Sequence, residues 1–145
     1  MIYTELTKKA LALCFEAHKE QKDKTGMPYV FHPFHLAEQM DDELSTVCAL
    51  LHDVVEDTEY GFSDLRNMGF PESVLEVLAL LTHEESVPYM DYVKNIASNS
   101  TAKKVKLADL RHNSDLSRLS PTQIDEWALR RNEKYRQAIK LLTEE

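Results

Sequence analysis

Histidine and acidic residues stand beside strongly apolar sequence in three separated segments of this chain. The segments read YVFHPFHLAEQM, with a histidine just before a helix start, LLHDVVEDTE, and VKLADLRHNSD. Burying such groups without a partner is costly, so their presence in apolar sequence indicates a shared site. One candidate ligand set draws on all three segments: His32, His52, Asp53 and Asp109. Two imidazoles and two carboxylates suit Mn²⁺, Fe²⁺, Zn²⁺ or Co²⁺ rather than Cu(I) or an iron–sulfur cluster.

Four protein ligands would leave room on a metal that prefers six. The remaining positions could take water and a substrate oxygen, which is the condition for metal-assisted hydrolysis. Glu56 and Asp57 lie four residues after His52 and Asp53, respectively, so helical spacing places them at the same end of one helix. We predict that they act as acid and base beside that water.

The spacing also leaves a structural alternative open. His52 and Asp53 are adjacent, and adjacent side chains diverge by about 100° on an ideal helix. The same residues could therefore form a buried polar network that only fixes the register of the helices, with the two acids at a solvated helix end.

The elements that carry these residues are predicted to be helices, which makes the fold class all-α. The chain has three glycines, each between helical patterns, and it lacks alternating β-branched runs bounded by turn signals. The segment 43–56 is apolar nearly all round until His52, as expected for a helix packed centrally between others. The predicted helices span residues 4–21, 33–40, 43–56, 63–68, 71–81, 88–97, 101–116 and 120–142.

The last of these helices has a clear start signal. Ser120 and Pro121 form an N-cap and first-turn pair. The apolar residues that follow at helical spacing predict an inner stripe made of Ile124, Trp127, Ala128, Tyr135, Ala138 and Leu142.

Length and charge limit the classes of function. A chain of 145 residues has the size of one domain, so we expect a single domain over residues 1–145. A net charge of −8 opposes binding to nucleic acid polymers or to anionic membranes. A small phosphorylated ligand stays possible, because a divalent metal can reverse the local field.

Cysteine usage and hydropathy indicate the compartment. Cys14 and Cys48 lie in apolar helical sequence and are expected to be buried hydrophobes rather than a disulfide or a metal pair. The first segment lacks the apolar run of a signal peptide, and no apolar run reaches the ~18 residues that cross a bilayer. We expect a cytoplasmic protein.

The order H…HD…D resembles the HD superfamily of metal-dependent phosphohydrolases. The segments LLHDVVEDT and VKLADLRHN, together with KTGMPYVFHP, are similar to the hydrolase domains of RelA/SpoT-type proteins and of stand-alone small alarmone hydrolases. The resemblance runs from about Ala10 to Leu119. It implies removal of the 3′-pyrophosphate of (p)ppGpp with Mn²⁺, and a small nucleotide as the substrate.

The resemblance also implies roles for individual residues. His32, His52, Asp53 and Asp109 match the metal ligands, and Glu56 and Asp57 match the catalytic acidic pair; Asn113 matches a substrate contact and Lys24 a basic residue near the nucleotide. From the residues alone, Asn113 could instead bond the backbone, and Lys24 could lie in a solvated loop.

The chain departs from the family's pattern beside the nucleotide. Asp23 stands where alarmone hydrolases usually carry an arginine that packs against guanine, and a carboxylate cannot stack as a planar cation does. Where the family has RLHNM, this chain has LRHNS, and where the family has VTK, this chain has LTH at residues 81–83. Two alternatives follow: an HD phosphohydrolase for another nucleotide, such as a nucleoside monophosphate or NADPH, or a non-catalytic sensor that binds metal and nucleotide. The oligomeric state is left open.

Overall fold

A computed structural model describes residues 1–144, and it is built from helices throughout, which confirms the predicted all-α class. The only β-pairing within that range is a single bridge between Lys22 and Pro28. The helices are α1 (Glu5–His18), α2 (Phe31–Glu38), α3 (Glu43–Leu51), α4 (Val54–Asp57), α5 (Phe62–Asn67), α6 (Glu72–Leu81), α7 (Tyr89–Ile96), α8 (Ser100–Asn113) and α9 (Glu126–Thr143), with 3₁₀ turns at Leu116–Arg118 and Pro121–Gln123.

Helix α3 is the centre of the molecule, as its apolar sequence predicts. It packs against α1, α2, α6 and α8, and every residue from Ser45 to Leu51 is buried. Asp42 caps the helix by accepting the backbone N–H of Ser45 at 2.7 Å. Each fully buried leucine or valine contributes about 1.5–3 kcal/mol to folding. The packing of the central helix therefore fixes the position of its C-terminal end, where the polar residues begin.

The predicted single helix over 43–56 is wrong, because the helix is interrupted at His52 and Asp53. Helix α3 ends at Leu51, His52 is its C-cap, and Asp53 has φ −106° and ψ 2°, outside the helical region. The short helix α4 then restarts at Val54. This turn changes the relative direction of the two adjacent side chains, which removes the divergence expected on an ideal helix.

The segment before α9 also differs from its prediction. Ser120 and Pro121 open a 3₁₀ turn rather than the helix, and Asp125 caps α9 by accepting the N–H of Ala128 at 2.9 Å. Two members of the predicted inner stripe are on the surface: Trp127 is 69% exposed and Ile124 is 38% exposed. The buried positions of α9 are Ala128, Ala138 and Leu142, so the buried stripe is narrower than predicted.

A tight turn between α1 and α2 carries Lys22–Pro28. Gly26 has φ +88°, a left-handed conformation in which a residue with a Cβ is strained, so glycine suits this position. Helix α2 starts at Phe31, two residues earlier than predicted, so that His32 lies within its first turn.

Both cysteines are free and buried, as predicted, and burial raises the pKa of each thiol to about 12. Among residues 1–144, no helix has both the length and the hydropathy needed to cross a membrane.

Candidate active site

Three helices bring two histidines and an aspartate together at one buried point. His32 comes from the first turn of α2, His52 from the end of α3, and Asp109 from α8, and these three helices pack against one another. Their candidate ligand atoms all lie within 4.8 Å of one another. Nε2 of His32 is 2.8 Å from Oδ1 of Asp109, and Nε2 of His52 is 3.6 Å from the same oxygen. We call these three residues the triad.

The fourth predicted ligand, Asp53, lies beside the triad but is not part of that close group. Its Oδ2 is 3.0 Å from Nε2 of His52. The hydroxyl of Tyr29 donates a hydrogen bond to the same carboxylate oxygen. Burial and the negative charge of Asp53 raise the pKa of Tyr29, so its hydroxyl keeps its proton and is a permanent donor to Asp53.

His52 is oriented for a cation. Its Nδ1 donates to the carbonyl of Ala49 at 2.7 Å, which turns Nε2 toward the carboxylates. That Nε2 is buried, with Oδ2 of Asp53 at 3.0 Å and Oδ1 of Asp109 at 3.6 Å. Burial would lower the pKa of His52, but Asp53 and Asp109 outweigh it and raise the pKa well above the usual value. The pocket therefore favours a positive charge, either a proton on His52 or a metal that displaces it.

Asp109 is held as a carboxylate by several donors. Nζ of Lys106 lies 2.8 Å from its Oδ2, and Nδ2 of Asn113 donates to its Oδ1 at 2.9 Å. Burial would raise the pKa of Asp109, but Lys106 and the two histidines hold it well below the usual value. Sequence reasoning could not place Lys106 inward or outward. Its position three residues before Asp109 on one helix face was the available signal.

His112 fixes the orientation of His32. The two rings stack with 8° between their planes, and their Nδ1 atoms are 2.7 Å apart. Burial and the neighbouring His32 lower the pKa of His112 to about 4, so its ring is neutral. Nδ1–H of His32 can then donate to Nδ1 of His112, which leaves Nε2 of His32 for the triad. No spacing rule in the sequence identified this contact.

The predicted acidic pair lies on α4, three and four residues after Asp53. Both carboxylates are accessible to solvent, and Oε1 of Glu56 accepts the backbone N–H of His83 at 3.2 Å. Partial burial together with the negative charge of Asp53 raises the pKa of both Glu56 and Asp57. Carboxyl groups with raised pKa values near a cation site are suited to act as acid and base.

A cleft opens from His32, the member of the triad that lines it, toward the turn and α9. Its volume is about 310 Å³, within the range of small-molecule sites. The side chains that line it include Lys24, Tyr29, His32, Asn113, Arg118, Arg131 and Tyr135. Lys24 and Asn113 thus border the same cavity as His32, whereas Glu56 and Asp57 are not among its lining residues. Four basic side chains (Lys22, Lys24, Arg118 and Arg131) and two carboxylates (Asp23 and Asp115) line the cleft, so basic residues outnumber acidic ones there, although the net charge of the protein is −8.

The donor set of the triad and Asp53 fits a divalent metal. Two imidazoles and two carboxylates are present, and Nε2 of His52 faces the carboxylates of both Asp53 and Asp109. Hard and borderline nitrogen and oxygen donors suit first-row divalent ions. A site of this kind, in which cations also line an adjoining cleft, can bind a phosphorylated ligand and promote hydrolysis.

Comparisons with known proteins agree with this geometry. No family model matches the chain. It is 33% identical over 134 residues to the guanosine-3′,5′-bis(diphosphate) 3′-pyrophosphohydrolase MESH1 of Danio rerio, covering 83% of this chain and 72% of that protein. It is 37% identical over 115 residues to a GTP pyrophosphokinase of Streptomyces coelicolor, covering 66% of this chain but 13% of that much longer protein.

The fold matches as well. A solved structure described as a metazoan orthologue of SpoT that hydrolyses ppGpp superposes with a TM-score of 0.78 at 26% identity, covering 99% of this chain and 88% of that one. An all-α fold with a buried histidine–aspartate triad beside a cationic cleft defines the class of HD-domain hydrolases. Within that class, the chain belongs to the RelA/SpoT-type family of stand-alone hydrolases that includes MESH1.

Proposed function

We propose that this protein hydrolyses guanosine-3′,5′-bis(diphosphate) to GDP and pyrophosphate, with Mn²⁺ as its metal. The observation that carries the proposal is the buried triad, of which His32 also lines a cleft with several cations, in a chain similar to ppGpp hydrolases. We propose residues 1–145 as one hydrolase domain, since core residues from Ala10 to Leu142 form a single cluster.

His32, His52, Asp53 and Asp109 would hold the metal. When bound, the metal would polarise a phosphoryl oxygen and lower the pKa of a nearby water. Tyr29 and His112 hold two of these side chains in place, and Lys106 keeps Asp109 ionised. This support matters because partners of metal ligands typically change metal affinity or activity 10–100-fold when removed.

The cleft would bind the nucleotide through its cations and its amide. Lys24 and Arg131 line the cavity and make no ion pair within residues 1–144, so their charges can meet phosphate groups. Asn113 lies between the triad and the cleft, bonded to Asp109 through Nδ2, which leaves its amide oxygen for the ligand. These contacts would place the 3′-pyrophosphate toward His32.

Glu56 and Asp57 would act as general acid and general base. A water oxygen attacks the phosphorus that is bonded to the 3′-oxygen, and one carboxylate of the pair accepts the water proton. The bond between that phosphorus and the 3′-oxygen then breaks, and its electron pair stays on the 3′-oxygen, which takes up a proton. The raised pKa of each acid suits it to both accepting and donating a proton.

The test is incubation of the purified protein with Mn²⁺ and ppGpp, with GDP and pyrophosphate measured separately. A panel of pppGpp, nucleoside monophosphates and NADPH follows under the same conditions. Turnover of ppGpp in preference to the panel is expected. Preference for another nucleotide would indicate a hydrolase with a different substrate. No turnover of any phosphorylated compound would favour the alternative of a non-catalytic sensor. The presence of Glu56 and Asp57 argues against that alternative.

A further inference from the structure

Asp23 does not project into the cleft as an isolated negative charge. Its Oδ1 accepts hydrogen bonds from the backbone N–H of Thr25 at 2.8 Å, the hydroxyl of Thr25 at 2.6 Å and the N–H of Met27 at 3.1 Å. Its Oδ2 accepts from Nη2 of Arg118 at 3.3 Å. Asp23 therefore organises its own turn with one oxygen and holds an arginine with the other.

Arg118 is clamped from two sides within the wall of the cleft. Besides the contact to Asp23, its Nη1 donates to the carbonyl of His112 at 2.8 Å. The Arg118 side chain is 24% exposed, and it lines both the cleft and a second cavity of about 470 Å³. Hydrogen bonds in the plane of a guanidinium fix that plane, but they leave its flat faces available for stacking.

We propose that Arg118 is the residue that recognises the base of the nucleotide, with its guanidinium packed against the ring, and that Asp23 is the positioning residue that holds it there. This inference rests on the proposed function and names the base-binding side of the same cleft. Asp23 and Arg118 are 95 positions apart, and the 3.3 Å contact between them holds a planar cation beside the turn that carries the acid.

The basic residues of the cleft differ in their partners, which suits some to bind the base and others to bind phosphate. Arg118 is already partnered by a carboxylate, which suits it to present a flat surface. Lys24 and Arg131 have no ion-pair partner among the described residues, which suits them to phosphate. The inference therefore predicts that Arg118 affects the affinity for the base and not the affinity for pyrophosphate.

The experiment measures binding of the two products, GDP and pyrophosphate, to the Mn²⁺-loaded protein by calorimetry, with CDP as a comparison base. In R118A, the Kd of GDP should rise about tenfold, the size of a cation–π contact in a partly desolvated site, and the preference for GDP over CDP should fall toward one. The Kd of pyrophosphate should stay within about twofold. R118K should resemble R118A, because an ammonium group has no flat face.

Two further variants separate positioning from folding. D23N keeps an acceptor for Thr25 but loses the charge that holds Arg118, so the Kd of GDP should rise about threefold with the Kd of pyrophosphate unchanged. R130A is the matched control, because Arg130 pairs with Glu126 on the surface, and it should bind both products as the parent does. Melting temperatures report whether each variant folds. If R118A does not fold, R118K serves in its place, because it keeps a cation beside Asp23.

The outcomes separate this inference from the proposed function. An equal loss of affinity for GDP and for pyrophosphate in R118A would assign Arg118 to phosphate binding and overturn the inference. An unchanged GDP affinity and base preference in R118A would also overturn it, as would a parent protein that does not bind GDP. Arg118-dependent GDP binding without turnover of ppGpp would overturn the proposed function alone.

Discussion

Tyr29→Phe removes one hydroxyl that supports the candidate metal site and should weaken metal binding. The hydroxyl donates to Oδ2 of Asp53, and its raised pKa keeps it protonated. Loss of a partner of this kind typically weakens metal binding 10–100-fold. At a Mn²⁺ concentration of about 100 times the parent Kd, the metal stabilises the parent by about 2.7 kcal/mol. A tenfold weaker site would gain about 1.4 kcal/mol under the same conditions.

That difference is measurable as a melting temperature. For a chain of this size, 1 kcal/mol corresponds to roughly 3 °C, so the rise in Tm caused by Mn²⁺ should be about 4 °C smaller in Y29F than in the parent. The control is Tyr3→Phe, because Tyr3 is an exposed tyrosine far from the triad in sequence, and its metal-induced rise should equal that of the parent. A full metal-induced rise in Y29F, whatever the Tm of the metal-free protein, would refute the reasoning that the Tyr29 hydroxyl supports a metal ligand through Asp53.

Four other changes have expected outcomes. Asp109→Asn should abolish the Mn²⁺-induced rise in Tm and destabilise the metal-free protein by about 3–5 kcal/mol, since it leaves Lys106 as a buried charge without its partner; denaturant unfolding with and without Mn²⁺ measures both. E56Q and D57N should each lower kcat at least about 100-fold while the metal-induced rise in Tm is retained, and unchanged turnover would contradict their role. Because the carboxylate form of Glu56 is lost as pH falls through its raised pKa, kcat of the parent should decline on the acid side from a higher pH than an ordinary glutamate would give, and an identical acid limb in residual E56Q activity would argue against this. Leu50→Ala should cost about 2–5 kcal/mol of unfolding free energy with kcat per folded molecule unchanged, because Leu50 is fully buried in the core and makes no polar contact to the triad.

Much of the site was predictable because its residues lie in local patterns. Asp109 and Asn113 are four apart on α8, and the structure bonds them to each other. The apolar sequence of α3 predicts a central helix, and it is one. The metal-ligand roles of His32, His52, Asp53 and Asp109 stay predictions, as do the roles of Glu56, Asp57, Lys24 and Asn113, since geometry places these residues without testing what they do.

The remaining features depend on contacts between distant residues. Tyr29 and Asp53 are 24 positions apart, His32 and His112 are 80 apart, and Asp23 and Arg118 are 95 apart. No periodicity in the sequence relates such pairs. The exposure of Trp127 belongs here as well, because the helices that pack against α9 decide which of its apolar residues are covered.

The sequence by itself determined the all-α class, the burial of both cysteines and the three segments that supply the triad, because each depends on residue type and on spacing along one helix. Only the tertiary structure decided how those segments meet. The break between His52 and Asp53 lets two adjacent side chains reach one point, and the packing of α2 and α8 on α3 brings His32 and Asp109 to it. Helical spacing specifies which residues share a face, whereas the faces that come into contact are selected by burial of the whole core.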